Sequence, residues 1–310
     1  MRVEGGRINL RVGVIGAGSM GKKHARVYSS LTDYCQFVGV YDVDYDCAES
    51  VAKQYGVTAF ASLDDLLSQV DAVTVAAPTL EHYAIGMNCI SRNVHVLMEK
   101  PITQTEGQAK KLIRAAKGHG VLLQTGHIEL FNPTIEVIGK LVEQEEIVSM
   151  EMRRLHRLEP RMFHVDVVSD TMIHDIYIMF HLLGKQVSRV NAVGKQVEGV
   201  NRYASALIKL KGGELAQLTA SFLASETERT IRLTTKNDTI TADLLNRTIQ
   251  KASLIHSENT RIIPVPDADP LSREIIHFIT CIKTKQRPLA DGEDGLAALA
   301  MANKIIRIIQ

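Results

Sequence analysis

From Asn9 to about Gly126, short β-branched runs alternate with longer stretches whose apolar residues recur every three or four positions. That rhythm predicts βαβ units and a parallel sheet. The runs Arg11 to Ile15, Gln36 to Tyr41, Ala72 to Ala76, Val94 to Met98 and Val121 to Thr125 are apolar enough to be buried on both faces, as strands covered by helices on either side must be. Between them, Gly21 to Ser30, Asp46 to Tyr55, Leu63 to Gln69, His82 to Ser91 and Thr105 to Lys117 predict helices. Gly118-His119-Gly120 supplies a stop for the last of these, and Asp64-Asp65 places negative charge near the start of the third.

After Asn132-Pro133 the rhythm changes. One helix follows, then a strand over Ile147 to Arg154, a helix from about Asp170 to Leu183, and alternating strands over Ser188 to Val197, Tyr203 to Lys211, Glu214 to Leu223, Thr230 to Thr235 and Thr239 to Asp243. Hairpin signals at Lys211-Gly212-Gly213 and Asn237-Asp238 predict an antiparallel or mixed sheet. Helical patterns return at Leu271 to Lys283 and Gly292 to Ile309. The pattern therefore divides the chain into an α/β domain over 1–126 and an α+β domain over 127–310, the last helix being a candidate to pack back on the first.

A chain of 310 residues is long enough for two ordinary cores. Its 36 Lys plus Arg balance 35 Asp plus Glu without a single-sign block, which argues against nucleic acid or an anionic membrane surface as partner. No apolar stretch reaches the roughly 18 to 20 residues of a spanning helix. The opening Met1 to Arg7 lacks the apolar run of a signal peptide, so a cytoplasmic enzyme is expected. Cys35, Cys47, Cys89 and Cys281 are scattered, as in a reducing compartment, and no zinc-ligand spacing appears, so no metal is expected.

Gly16-Ala17-Gly18-Ser19-Met20-Gly21 follows the first strand and opens the first helix, the context in which G-x-G-x-x-G reads as a Rossmann dinucleotide loop. The first glycine permits the turn, the second admits a pyrophosphate, and the third lets helix pack on strand. Asp42 ends the second strand, placed to accept bonds from the adenosine ribose and to repel a 2′-phosphate, which favours NAD over NADP; Asp44 and Asp46 could share that role. Ala77-Pro78-Thr79 ends the third run and borders the cofactor crevice, with His82 beginning a helix either as a contact or as a cap. Glu99-Lys100-Pro101 ends the next strand, and Lys100 there is either a solvated cation or the acid and base of an alcohol–ketone interconversion. Asp170 and His174 lie one helical turn apart, as a proton-relay pair, a structural pair or half of a metal site without a convincing partner set.

In order and spacing, the loop Gly16 to Gly21 with His24, the loop Pro78 to His82, the triplet Glu99-Lys100-Pro101 and the pair Asp170 and His174 resemble the Gfo/Idh/MocA oxidoreductase family over nearly the whole chain. The resemblance implies a C-terminal domain on a large, open, mostly antiparallel sheet that joins homodimers or homotetramers. It implies proton transfer by Lys100 and His174 with help from Asp170, and a loop-fixing role for Glu99 beside NAD. Gly126 to Pro133 is similar to the segment of nucleotide-sugar members that oxidise the 3-hydroxyl of UDP-N-acetylglucosamine, which makes His127, Glu129 and Asn132 sugar contacts, unless they serve only as strand-to-helix caps. Arg161, with Arg153, Arg154 and Arg157, could meet a diphosphate. Leu130 and Tyr177 depart from those members, which normally carry an arginine and an acidic residue there. Another sugar or an inositol, or a non-catalytic dinucleotide-binding sensor, are the alternative functions.

Overall fold

A computed structural model describes residues 3–4, 7–8, 10–255 and 260–310, without the side chains of 3–4, 7–8 and 161. Two short strands, β1 (Val3–Glu4) and β2 (Arg7–Ile8), pair antiparallel. The chain then alternates β3 (Leu10–Ile15), α1 (Ser19–Ser30), β4 (Cys35–Tyr41), α2 (Tyr45–Tyr55), β5 (Thr58–Phe60), α3 (Leu63–Gln69), β6 (Ala72–Val75), α4 (Thr79–Ser91), β7 (His95–Glu99), α5 (Glu106–His119) and β8 (Leu123–Gly126). The later elements are α6 (Pro133–Val142), β9 (Ile147–Arg157), α7 (Ile173–Leu183), β10 (Val187–Val197), β11 (Val200–Leu210), β12 (Leu215–Ser221), β13 (Leu223–Thr235), β14 (Asp238–Asp243), β15 (Thr248–Ser253), β16 (Thr260–Ile263), α8 (Pro270–Thr284) and α9 (Gly292–Ile309).

Two compact units result, one of Met1–His127 with Leu271–Leu296, the other of Ile128–Pro270 with Ala297–Gln310. In the first, six parallel strands run in the order β5-β4-β3-β6-β7-β8. The strand order reverses between β3 and β6, which opens a crevice at their carboxyl ends. Continuous burial of Val12, Val14, Val73, Val75, Val96 and Leu97 is what helices on both faces demand. Local chemistry sets the helix ends: Thr105 and Gln108 form a capping box at the start of α5, and Gly120 ends it in the left-handed region at φ 65°. The segment 271–296 joins this unit through α8, which buries Leu271, Ile275, Phe278 and Ile279, and through the Thr125 N–H, which donates to Ala290 O at 2.8 Å.

The second unit is an eight-stranded sheet in the order β10-β11-β12-β9-β13-β14-β15-β16, antiparallel except where β12 meets β9. The sheet is therefore the mostly antiparallel one expected, with β15 and β16 beyond the strands the pattern predicts. Its inner face carries Met150, Met152, Ala204, Ala206, Ala216, Leu218 and Ala220, and the alanines leave room for α7, which buries Ile173, Ile176 and Met179. The helix expected from Asp170 starts differently: residues Val168–Met172 wind as a π-turn and regular α-helix begins only at Ile173. Such wide turns are often found where a helix must aim side chains at a ligand.

Candidate active site

Parallel register aligns the strand ends of the first unit, pairing Ile15 with Tyr41 and with Val75, Val75 with Met98, and Glu99 with Gly126. One edge thus carries the glycine loop, Asp42, Ala77, Lys100 and His127. Each glycine in the loop answers a different constraint. Gly16 stands at φ +96°, and a Cβ there would meet Ala76 carbon at 2.7 Å. A Cβ on Gly21 would lie 1.7 Å from Gly16 O. Gly18 is different: nothing stands within 4 Å of where its Cβ would be. That open face is where a pyrophosphate fits, and α1 begins beside it without a side-chain cap or an acidic residue in its first turn. The first N–H groups of α1, from Ser19, Met20 and Gly21, are therefore available to an anion.

Asp42 is fixed toward the same loop. Its Oδ2 accepts the Ala17 N–H and its Oδ1 accepts the Asp44 N–H at 2.9 Å. Asp44 is engaged differently, since its side chain caps α2 at Asp46 N and Cys47 N, and the Cys47 bond chiefly holds its carboxyl below the usual range. Of the two, Asp42 is the one whose carboxylate faces the glycine loop.

His82 is 1% exposed, with Nδ1 2.8 Å from Pro101 O and Nε2 2.9 Å from Ala77 O. Burial lowers its pKa while the two carbonyls favour the charged ring, so the neutral ring donates to one of the Ala77-Pro78 and Lys100-Pro101 loops at a time and the imidazolium to both. Glu99 receives His24 Nε2 at 2.9 Å and the Lys100 N–H at 3.3 Å. Burial works against its charge, yet the His24 bond and the His24 and Lys100 charges hold its carboxyl below the ordinary range. Behind it α8 places Glu274, fully buried, its carboxyl without a hydrogen-bond partner among the described residues and pushed well above the ordinary pKa by burial and then by the Glu99 charge. Lys100 itself is half-buried at this edge. His127 is 1% exposed, and burial, with the Lys100 charge, depresses its pKa to about 3.

In the second unit, Asp170 belongs to the π-turn and His174 to the first turn of α7, both half-buried. Glu129 and Asn132 are built into a charged network. Arg154, 3% exposed, donates from Nε to Asp175 Oδ1 at 2.8 Å and from Nη1 to Glu129 Oε1 at 2.8 Å, and Arg229 Nη1 reaches the same oxygen at 3.3 Å. Asn132 donates to Glu129 Oε2 at 3.3 Å and caps α6 through Thr134 N. Burial opposes the Glu129 charge, but Arg154 and Arg229 keep the carboxyl ionised, whereas burial raises Asp175. Arg154 is thus occupied inside the unit, Arg153 pairs with Glu228 at 3.3 Å, and the Arg161 side chain lies outside the described residues.

Sequence reasoning missed Glu274, Arg154 and Asp175 as buried charges. Alternation along β9 puts Arg154 in step with Met150 and Met152, and helical spacing puts Glu274 in step with Leu271 and Phe278. A charge at an inward position was the available signal.

Residues 10–127 match the model of an oxidoreductase family with an NAD-binding Rossmann fold, and residues 143–241 match the GFO/IDH/MocA C-terminal domain. The chain is 31% identical to UDP-N-acetylglucosamine 3-dehydrogenase of Acidithiobacillus ferrooxidans, over 96% of each chain. The solved structure of that enzyme superposes with a TM-score of 0.92 over 98% of both chains. Inositol 2-dehydrogenase of Rhizobium meliloti is 24% identical over 97% of each.

Proposed function

From the premise that this chain belongs to the GFO/IDH/MocA oxidoreductase family, we propose that it is an NAD-dependent dehydrogenase of a nucleotide sugar, oxidising the 3-hydroxyl of UDP-N-acetylglucosamine. The observation that carries the reading is the glycine cradle, open at Gly18 alone and closed by backbone at Gly16 and Gly21, with Lys100 on the same edge. Nicotinamide, when bound, supplies the hydride acceptor. Gly18, Ser19, Met20 and Gly21 hold the pyrophosphate, and Asp42 takes the ribose hydroxyls and disfavours a 2′-phosphate.

Lys100 accepts the hydroxyl proton during oxidation and returns it during reduction. Glu99 fixes the Lys100 backbone, and His82 lies between the two loops that frame it, with a carbonyl of each within hydrogen-bond distance of its ring. His174 relays that proton and Asp170 orients it. His127, kept neutral by burial, offers a hydrogen bond to the sugar without a charge to compete with Lys100. Glu129 and Asn132 support the sugar side indirectly, through Arg154 and the start of α6. Arg161 meets the diphosphate.

The outer face of the eight-stranded sheet exposes Val193, Leu207, Leu215 and Leu223, and on β11 and β12 the opposite face is core. A second copy of the chain covers that face in the enzyme as we read it.

Mixing the protein with NAD and UDP-N-acetylglucosamine should raise the absorbance of reduced nicotinamide. Lys100→Met should lower kcat by about 10²–10⁴-fold while the Kd for NADH stays within about threefold. Turnover of myo-inositol instead, in a parallel reaction, would move the substrate toward the inositol relatives; no turnover of either, with NADH bound, would favour a sensor.

A further inference from the structure

Arg202, 1% exposed on β11, carries a full charge into the second unit, and among the described residues no carboxylate pairs with it. Its fork meets backbone instead. Nη1 donates to Met162 O at 2.9 Å and Val165 O at 3.2 Å, and Nη2 donates to Phe163 O. The neighbouring Asn201, 2% exposed, donates to Asp166 Oδ2 at 2.7 Å, while Asp166 Oδ1 accepts the Val168 N–H at 2.8 Å. Two consecutive residues therefore hold residues 162–166 at four points, and the last of these enters the π-turn that contains Asp170. Arg202 is itself anchored, since its carbonyl accepts the Phe222 N–H at 2.8 Å and the Phe222 ring lies 4.8 Å from the His156 ring.

A guanidinium spent on carbonyls of one short segment is a costly way to hold an arbitrary loop, because those groups would find water if the segment lay open. The geometry points to Arg202 and Asn201 as positioning residues that fix the segment bearing Arg161 and set the approach to Asp170 and His174 for the diphosphate end of the substrate. This rests on the nucleotide-sugar reading above. Lysine cannot replace Arg202, since a point charge reaches one carbonyl where the planar fork reaches three.

Arg202→Lys, Arg202→Met and Asn201→Ala test the assignment in the full-length protein. Expected are a KM for UDP-N-acetylglucosamine about tenfold higher in Arg202→Lys and severalfold higher in Asn201→Ala, an unchanged Kd for NADH, and tryptic cleavage after Arg161 at least tenfold faster. The assignment is overturned if folded variants keep the sugar KM and the cleavage rate of the parent, or if sugar and NADH affinities fall together. Should Arg202→Met not fold, the other two variants decide. If the parent turns over no nucleotide sugar, the substrate reading fails, whereas the cleavage rates still show whether Arg202 and Asn201 hold the segment.

Discussion

The glycine edge of the first unit and the charged network of the second solve opposite problems. The first must leave backbone N–H groups unsatisfied so that a ligand can use them, and it does so with residues that lack side chains, within six consecutive positions. The second must satisfy buried charges, and it draws Glu129, Arg154, Asp175 and Arg229 from positions up to 100 residues apart. The glycine loop is made by local geometry; the charged network is made by long-range pairing.

The sharpest break of that comparison is Arg154→Met. Removing the cation that bonds both Asp175 and Glu129 takes the Arg154 bond from the buried Asp175 and leaves Glu129 to Arg229 and Asn132, and a loss of about 3–5 kcal/mol is expected. Denaturant melts should register it, with NADH affinity of the folded fraction unchanged because the glycine edge belongs to the other unit. A neutral substitution would mean that the network carries no stability.

Acid separates the units next. His127 has a folded pKa of about 3 against 6.5 unfolded, so between those values the unfolded chain binds more protons and stability falls as pH falls. Between about pH 6.5 and 5 this amounts to about 2 kcal/mol. His82 and His95 are depressed in the same direction, so the measure is the difference between the parent and His127→Gln. The variant should lose less stability over that interval; identical slopes would show that His127 titrates normally.

A smaller effect probes the seat itself. Gly18→Ala places a methyl in open space, so the melting temperature should shift by no more than about 2 °C, yet NADH affinity should drop about tenfold because the methyl takes the pyrophosphate's place. Undiminished affinity would show that the open face is not where the dinucleotide binds.

The same contrast explains how much of the fold and the site is legible in the sequence. The parallel sheet, its helices and the cradle were legible because their signals are local: a strand, three spaced glycines, a helix start, an aspartate at the next strand end. The short β5, Thr58–Phe60, was not, since three residues carry no period. In the second unit, Asn132 and Glu129 read as sugar contacts because their sequence neighbourhood holds only a turn and a helix start. The partners that occupy Glu129, Arg154 and Arg229, enter from β9 and β13. The π-turn at Val168–Met172 was hidden too, because four-residue spacing looks the same to a pattern whether the turn is wide or regular.

The smallest effect concerns a residue that shares in both designs. Asp42 is a side chain that accepts from backbone, its Oδ2 bound to Ala17 N and its Oδ1 to Asp44 N, at the end of β4 where the proposed reading seats the adenosine ribose. An asparagine at this position would keep an acceptor for the Ala17 N–H and lose the one for the exposed Asp44 N–H, so Asp42→Asn should lower stability by no more than about 1 kcal/mol. On the reading proposed above, the substitution removes the charge that disfavours a 2′-phosphate, and the ratio of kcat/KM for NADP to that for NAD should rise about fivefold, roughly 1 kcal/mol. An unchanged ratio would mean that cofactor choice is set by side chains away from the glycine loop, and then the division between a locally coded seat and a remotely coded scaffold would fail at the seat.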